Sequence, residues 1–267
     1  MQSSENASLH TCSEWLEVSA DAYLRSILAQ YAVNNAGAEA AAQSVYPTVA
    51  RWGGQYLLGA EFSGSRAKGT AISLGTDADI FLSLTSATPG TLGEMYESLF
   101  NAFQNAGYQP KRQNVSIGIK ANNYSIDLVP GRRQGAQGDD HSLYRSKFST
   151  WTLTNVRRHI TYVSSSNRTE EIRVLKIWRQ LQGLDFPSFL LELAVIDALK
   201  NARVGDLANN VWKCLIHLRD TAVTMYYIDP ANTNNVVSDD VTASQRADIA
   251  SAAGNSLKGQ TWGDVAW

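Results

Sequence analysis

The sequence predicts an α+β (mixed α/β) protein in which an α/β half is followed by a helical half, with a cleft between them. Three observations point there. Short runs with strand patterning surround one helical run between residues 55 and 129. Alanine-rich helical sequence precedes them, and helix-period segments dominate after about Ser149. At 267 residues, 44% of them apolar, the chain is long enough for one domain or a small two-lobed enzyme with a large core. The division is expected at 1–148 and 149–267.

Taken in order, Val18 to Ala50 carries no proline until Pro47 and reads as one long helix that ends or kinks there. Gln55 to Phe62 is a strand closed by Ser63-Gly64-Ser65, and Asp77 to Leu84 (DADIFLSL) alternates as a second strand. Thr91 to Ala106 is helical after Pro89-Gly90. Val115 to Ile119 and Tyr124 to Val129 flank Asn122-Asn123, a hairpin pattern. Gly131 to Asp140 reads as a glycine-rich polar loop. Helices are then expected over Thr169–Gln182, Ser188–Asn201, Asp206–Tyr226 and Ser244–Leu257.

Composition narrows the function classes. The net charge is −2 and charged residues make up 18%, which excludes a polybasic nucleic-acid coat and argues against an acidic disordered tail. The charge is uneven, however. Residues 111–179 hold 13 basic and five acidic side chains, a local +8 consistent with a polyanion near the middle of the chain or with solvated helix faces. Two cysteines, Cys12 and Cys214, cannot build a zinc cluster alone, although one disulfide between them is feasible. Met1 to Glu14 is polar, without a secretory pattern, and no run of about 18 apolar residues occurs. The expectation is a soluble, cytoplasmic protein. His10, His141, His159 and His217 lack metal-ligand spacing, and no Ser/His/Asp set is apparent.

The chemistry is concentrated in residues 62–84, FSGSRAKGTAISLGTDADIFLSL. Residues i and i+2 of a strand share a face, so Asp77 and Asp79 point the same way. Two carboxylates about 4 Å apart repel by roughly 4 kcal/mol at an effective dielectric near 20, so the pair needs a proton, a cation or solvent. A hard divalent ion with oxygen ligands answers that need, and Mg²⁺ is held this way beside substrate phosphates. Asp127 adds a third carboxylate inside the apolar run Ile126-Asp127-Leu128-Val129, where an unpaired charge would be costly. The Gly64-Ser65 turn offers backbone N–H groups and a hydroxyl to phosphate oxygens, and Lys68 lies close in sequence. Singly, each piece also fits an ordinary turn, a surface ion pair or a strand aspartate neutralised by an arginine; their order and spacing fit few folds.

Strand, Gly64-Ser65, Asp77-x-Asp79 on the next strand and Asp127 on a later one resemble the nucleotidyltransferase core of the DNA polymerase β superfamily. Lys176 in LKIW, Ser188 in FPSFLLE and Asp229-Pro230 in IDPANTNNV are similar to features of its oligoadenylate synthase and bacterial CD-NTase branch, which includes bacterial relatives of cyclic GMP-AMP synthase. The resemblance implies a polymerase β-like core with a central mixed sheet, a C-terminal helical lobe, and two metal ions, Mg²⁺ with Mn²⁺ as a substitute, held by Asp77, Asp79 and Asp127. It implies triphosphate contacts from Ser65 of the Gly64-Ser65 turn on one wall, where Lys68 is close enough in sequence to assist, and from Lys176 and Ser188 on the other. It further implies the joining of NTPs, ATP among them, into a cyclic di- or trinucleotide messenger with release of pyrophosphate, in anti-phage (CBASS) signalling.

Several residues keep alternatives. Lys176 also fits a solvated helix lysine. Ser188 follows Pro187 and fits a helix cap, although Leu191 occupies the capping-box acid position. Asp229-Pro230 fits a plain turn as well as a base-pocket loop. Tyr144, Tyr226 and Trp151 fit core packing or base stacking. The competing functions are template-independent addition of nucleotides to RNA, synthesis of linear oligonucleotides, and a nucleotide-binding partner protein without turnover. With no cysteine/histidine zinc insertion, no obligatory nucleic acid is expected; nor is a membrane. A monomer, with a regulatory protein partner, is the expected state.

Overall fold

A computed structural model describes residues 11–75 and 77–267; for residues 11–19 and Asp77 it describes the backbone alone. Most of the polar segment Met1 to Glu14, with His10, thus lies outside the described residues, as do the side chains of Cys12 and Asp77.

In place of one long first helix there are two, α1 (Thr11–Gln30) and α2 (Asn35–Gly53). The break follows from Asn34, whose extended backbone and side-chain oxygen cap α2 by accepting the Gly37 N–H at 3.1 Å. Pro47 neither ends nor starts a helix. It sits on the exposed side of α2, while Val45 and Val49 on either side of it are buried.

The chain forms two compact units. One comprises Val33–Ser165 with Ile228–Asn235. Its sheet runs β1 (Leu57–Phe62), β2 (Asp77–Leu84), β5 (Tyr124–Arg133), β4 (Ile117–Ala121) and β3 (Lys111–Arg112), with β6 (His141–Arg145) paired to the end of β5 and β7 (Thr150–Thr154) paired to β6. The sheet is mixed: β2 and β5 are parallel, and the other pairs are antiparallel. Asn122 and Asn123 both have positive φ, +49° and +66°, and form the two-residue β4–β5 turn. On one face α2 and α4 (Leu92–Asn105) build the core, Ala38, Ala41, Val45 and Val49 meeting Tyr96, Leu99, Phe100 and Phe103 over Ile80, Leu82, Ile117, Ile126 and Leu128. Thr91 caps α4 in a reciprocal capping box with Glu94.

Two expectations fail here. The loop foreseen from Gly131 begins later, because β5 continues through Pro130-Gly131 to Arg133. Pro130 falls between the β4 ladder, which ends at Leu128, and the β6 ladder, which starts at Arg132, so its missing N–H breaks neither. Gly131 is required by close packing: a Cβ there would lie 2.6 Å from the Phe81 ring. The chain also does not turn helical at Ser149. The alternating Thr150-Trp-Thr-Leu-Thr154 pairs with β6 as β7 before α5 (Val156–Ser164) begins.

The second unit comprises residues up to Ala32, Ser166–Tyr227 and Val236–Trp267. It is helical, with α1, α6 (Thr169–Leu181), α7 (Ser188–Ala198), α8 (Leu207–Thr221) and α9 (Ala243–Ser256). In α7, Leu190, Leu191, Leu193, Ala194 and Val195 are all buried, which leaves almost no polar face and marks a central helix. Trp178, fully buried on α6, donates its indole N–H to Ser256 Oγ on α9 at 2.9 Å. A short hairpin of β8 (Ile228–Asp229) and β9 (Asn232–Val236) lies almost wholly in the sheet unit. Among the described residues no helix is long and apolar enough to cross a membrane.

Candidate active site

The site grows from the parallel pair at the centre of the sheet. Asp79 on β2 and Asp127 on β5 are register partners. Their neighbours Ala78, Ile80, Ile126 and Leu128 are buried in the helix-covered core. Strand alternation therefore puts both aspartates on the opposite face, on strands about 4.8 Å apart. Asp77 stands two residues before Asp79, opposite Ser125 in the same ladder.

The Gly64-Ser65 turn closes directly on this pair. Gly64 opens the four-residue helix α3 (Gly64–Ala67) with φ +56°, and a Cβ there would lie 1.9 Å from Asp79 Oδ2. Only glycine allows both that backbone conformation and that approach. The Ser63 N–H donates to the Asp79 carbonyl at 2.8 Å and anchors the turn to β2, while the Thr70 N–H donates to the Ser65 carbonyl at 2.9 Å and closes the loop. Lys68, 8% exposed, ends α3, and its own N–H donates to the Gly64 carbonyl at 3.3 Å.

Sequence reasoning missed Gln113. Its Nε2 donates to Asp127 Oδ1 at 2.9 Å, a contact with no motif to announce it, since it depends on the β4–β5 register. Beside Asp127 a cavity of about 500 Å³ opens, with Gln113, Ser125 and the exposed Lys111 and Lys120 among its lining. Further along the same face of β2, Ser83 Oγ and His141 Nε2 are 2.8 Å apart and Phe81 packs edge-on to the imidazole. Burial pushes the His141 pKa below its ordinary value, against the raising effect of the Asp139 carbonyl that accepts from Nδ1.

Asp79 and Asp127 suit a hard divalent cation. They supply oxygen donors in register, and the backbone at Gly64 leaves space where any Cβ would press on the Asp79 carboxylate. Asp77, the third expected ligand, belongs to the same strand, but its side chain is outside the described residues.

The two residues expected on the far wall belong to the helical unit. Lys176 is not a solvated helix lysine. It is 3% exposed and donates to Glu192 Oε1 at 2.6 Å, so a phosphate would have to compete with that carboxylate. Ser188 is the first residue of α7, its Oγ making no cap bond and instead accepting from Arg179 at 3.0 Å.

Other surmises resolve into structure. Asp229 is buried and bonded to His159 Nε2 (2.6 Å), the Ala231 N–H (2.8 Å) and Asn235 Nδ2 (3.2 Å). Burial raises its carboxyl pKa, but these donors together hold it below the usual carboxylate value. Its role is thus to lock the β8–β9 turn. Tyr144 packs on the sheet core, whereas Trp151 and Tyr226 are exposed. Four of the basic residues of the 111–179 stretch, Arg132, Arg168, Arg173 and Arg179, donate to backbone carbonyls. Cys214 is a buried free thiol with its pKa pushed up by burial.

The chain shares the fold of solved bacterial CD-NTases. No family model and no curated protein sequence matches it. CdnC of Escherichia coli MS115-1, solved with ATP, is 19% identical with a TM-score of 0.72, covering 90% of each chain, and is also known in a complex with HORMA-deltaN at a TM-score of 0.68. The CD-NTase CdnG of Bradyrhizobium diazoefficiens, in complex with GTP, is 14% identical with a TM-score of 0.76, again over 90% of each chain. The cyclic dinucleotide synthase CdnE of Elizabethkingia meningoseptica, bound to GTP and Apcpp, is 15% identical with a TM-score of 0.59, over 81% of this chain and 89% of that one.

Proposed function

We propose that this protein is a nucleotidyltransferase that joins NTPs into a cyclic di- or trinucleotide messenger and releases pyrophosphate. The observation that carries the reading is the register pairing of Asp79 with Asp127 beneath a Gly64 turn that admits no side chain. In the reaction, a ribose hydroxyl of one nucleotide forms a bond to the α-phosphorus of another as the bond to pyrophosphate breaks. A second such transfer closes a dinucleotide ring, and a third closes a trinucleotide ring. Asp77, Asp79 and Asp127 would hold two Mg²⁺ ions, or Mn²⁺ in their place, which neutralise phosphate charge and acidify the attacking hydroxyl.

The protein's own groups supply positioning. Gly64 and Ser65 present N–H groups and a hydroxyl to the triphosphate, and Lys68 adds positive charge nearby. Lys111 and Lys120, on the Asp127 side, suit the phosphates of the acceptor. Lys176 and Ser188 remain proposed triphosphate contacts, Lys176 only if it leaves Glu192. A role in anti-phage CBASS signalling, in the cytoplasm and under a regulatory protein, is in keeping with a fold shared with CdnC, which binds HORMA-deltaN. No nucleic acid is required in this reading.

The test combines purified protein, Mg²⁺ or Mn²⁺ and α-labelled ATP, GTP, CTP and UTP, with phosphatase treatment before separation. A phosphatase-resistant product is expected, its bases identified by omitting single nucleotides and its ring by mass spectrometry. Asp79→Asn and Asp127→Asn should abolish it without unfolding the protein. Full yield from either variant would refute the site.

A further inference from the structure

We propose that Gln113 is the positioning residue for the Asp127 carboxylate, a role that rests on the metal-site reading above. The amide is oriented from both ends. The Ser116 hydroxyl donates to Gln113 Oε1 at 2.8 Å, which directs Nε2 toward Asp127 Oδ1 at 2.9 Å. The backbone of Gln113 is fixed as well: its carbonyl accepts from Tyr96 Oη at 2.7 Å and from Ser146 Oγ at 2.7 Å, and its N–H donates to the Ser116 carbonyl at 3.0 Å. Tyr96 is itself fully buried in the core beneath the sheet.

The fold makes room for this contact at one position. Gly118 is the β4 register partner of Asp127, and a Cβ there would lie 2.7 Å from Gln113 Nε2 and 3.2 Å from Asp127 Oδ1. The glycine opens the path by which the amide crosses β4 to the carboxylate. An amide fixed by a hydroxyl and two backbone anchors is a rigid donor. It confines the Asp127 carboxylate to one orientation. Outer partners of this kind orient metal-binding carboxylates, and losing one costs typically about 10- to 100-fold in metal affinity. Gln113 would therefore act on the affinity of the metal site through Asp127.

The experiment measures Mn²⁺ binding to the whole protein without nucleotide, from the electron paramagnetic resonance signal of free Mn²⁺. Gln113→Met keeps the side chain's length and removes the donor; it should raise the Mn²⁺ Kd by about 10-fold or more. Ser116→Ala, which frees the amide to rotate, should raise it in the same direction by less. On the residual binding of Asp127→Asn, Gln113→Met should add no further loss. A Gln113→Met Kd within twofold of the unsubstituted protein, while Asp127→Asn weakens binding, overturns the proposal and leaves the metal site standing. If Gln113→Met does not fold, an unchanged Kd in Ser116→Ala overturns it. Should Asp79→Asn and Asp127→Asn also bind Mn²⁺ normally, the metal-site reading falls and this proposal with it.

Discussion

Gly64→Ala separates backbone strain from displacement of a carboxylate. Gly64 has φ +56°, and a non-glycine residue there costs about 1–3 kcal/mol. The new Cβ would also fall 1.9 Å from Asp79 Oδ2 and 2.6 Å from its Cγ, so the Asp79 carboxylate must move by at least about 1 Å. A displacement of that size at a reacting centre costs about 100-fold in rate. Gly54→Ala supplies the control, since Gly54 also has a positive φ, +50°, but nothing lies within 4 Å of an added Cβ. Both variants should lose stability in urea denaturation, by about 1–3 kcal/mol for the strained backbone alone. Product formation from labelled NTPs should fall about 100-fold in Gly64→Ala and less than about threefold in Gly54→Ala. Equal activity in the two variants would refute the claim that the turn and the Asp79 carboxylate form one site.

Two further predictions concern stability. Lys176→Met removes the ammonium that the buried Glu192 carboxylate accepts from at 2.6 Å and should cost about 3–5 kcal/mol in denaturant melts; Lys176→Met with Glu192→Leu should recover most of that. A loss under about 1 kcal/mol for the single variant would show that the ammonium does not serve the fold. His141 favours its neutral ring when folded. Its contribution is complete above the ordinary imidazole value, near 6.5, and declines as pH falls from there, because the unfolded chain takes up a proton that the folded one resists. His141→Asn should flatten that limb in melts between about pH 7 and 5, and an unchanged slope would refute the assignment.

The elements that encode themselves locally were legible. DADIFLSL alternates, and β2 occupies those eight residues. Thr91 with Glu94, and Asn122-Asn123, are caps and turns whose side-chain chemistry acts within a few residues. What escaped depends on distant partners. Pro130-Gly131 has the look of a turn, yet Phe81 and Leu143 packing over Gly131 makes it strand. Pro47 suggests a helix end, but burial of Val45 and Val49 carries α2 through it. Within the candidate site, the aspartates and Gly64-Ser65 announce themselves by order and spacing. Gln113 and Gly118 reach Asp127 only through cross-strand register, and the Glu192 partner of Lys176 is 16 residues away on the next helix.

The interleaving of the chain between its two units has a consequence for biosynthesis. Neither unit is a continuous stretch of sequence: α1 waits for α6 to α9, and the sheet unit recruits Ile228–Asn235 long after Ser165. A nascent chain released only to α5 would have the seven-stranded sheet and the candidate carboxylates, but His159 would still lack Asp229. The helical unit closes last, when α9 brings Ser256 to the indole of Trp178. The sheet unit is thus incomplete on the ribosome until Asn235 has emerged, and the helical unit until α9 has.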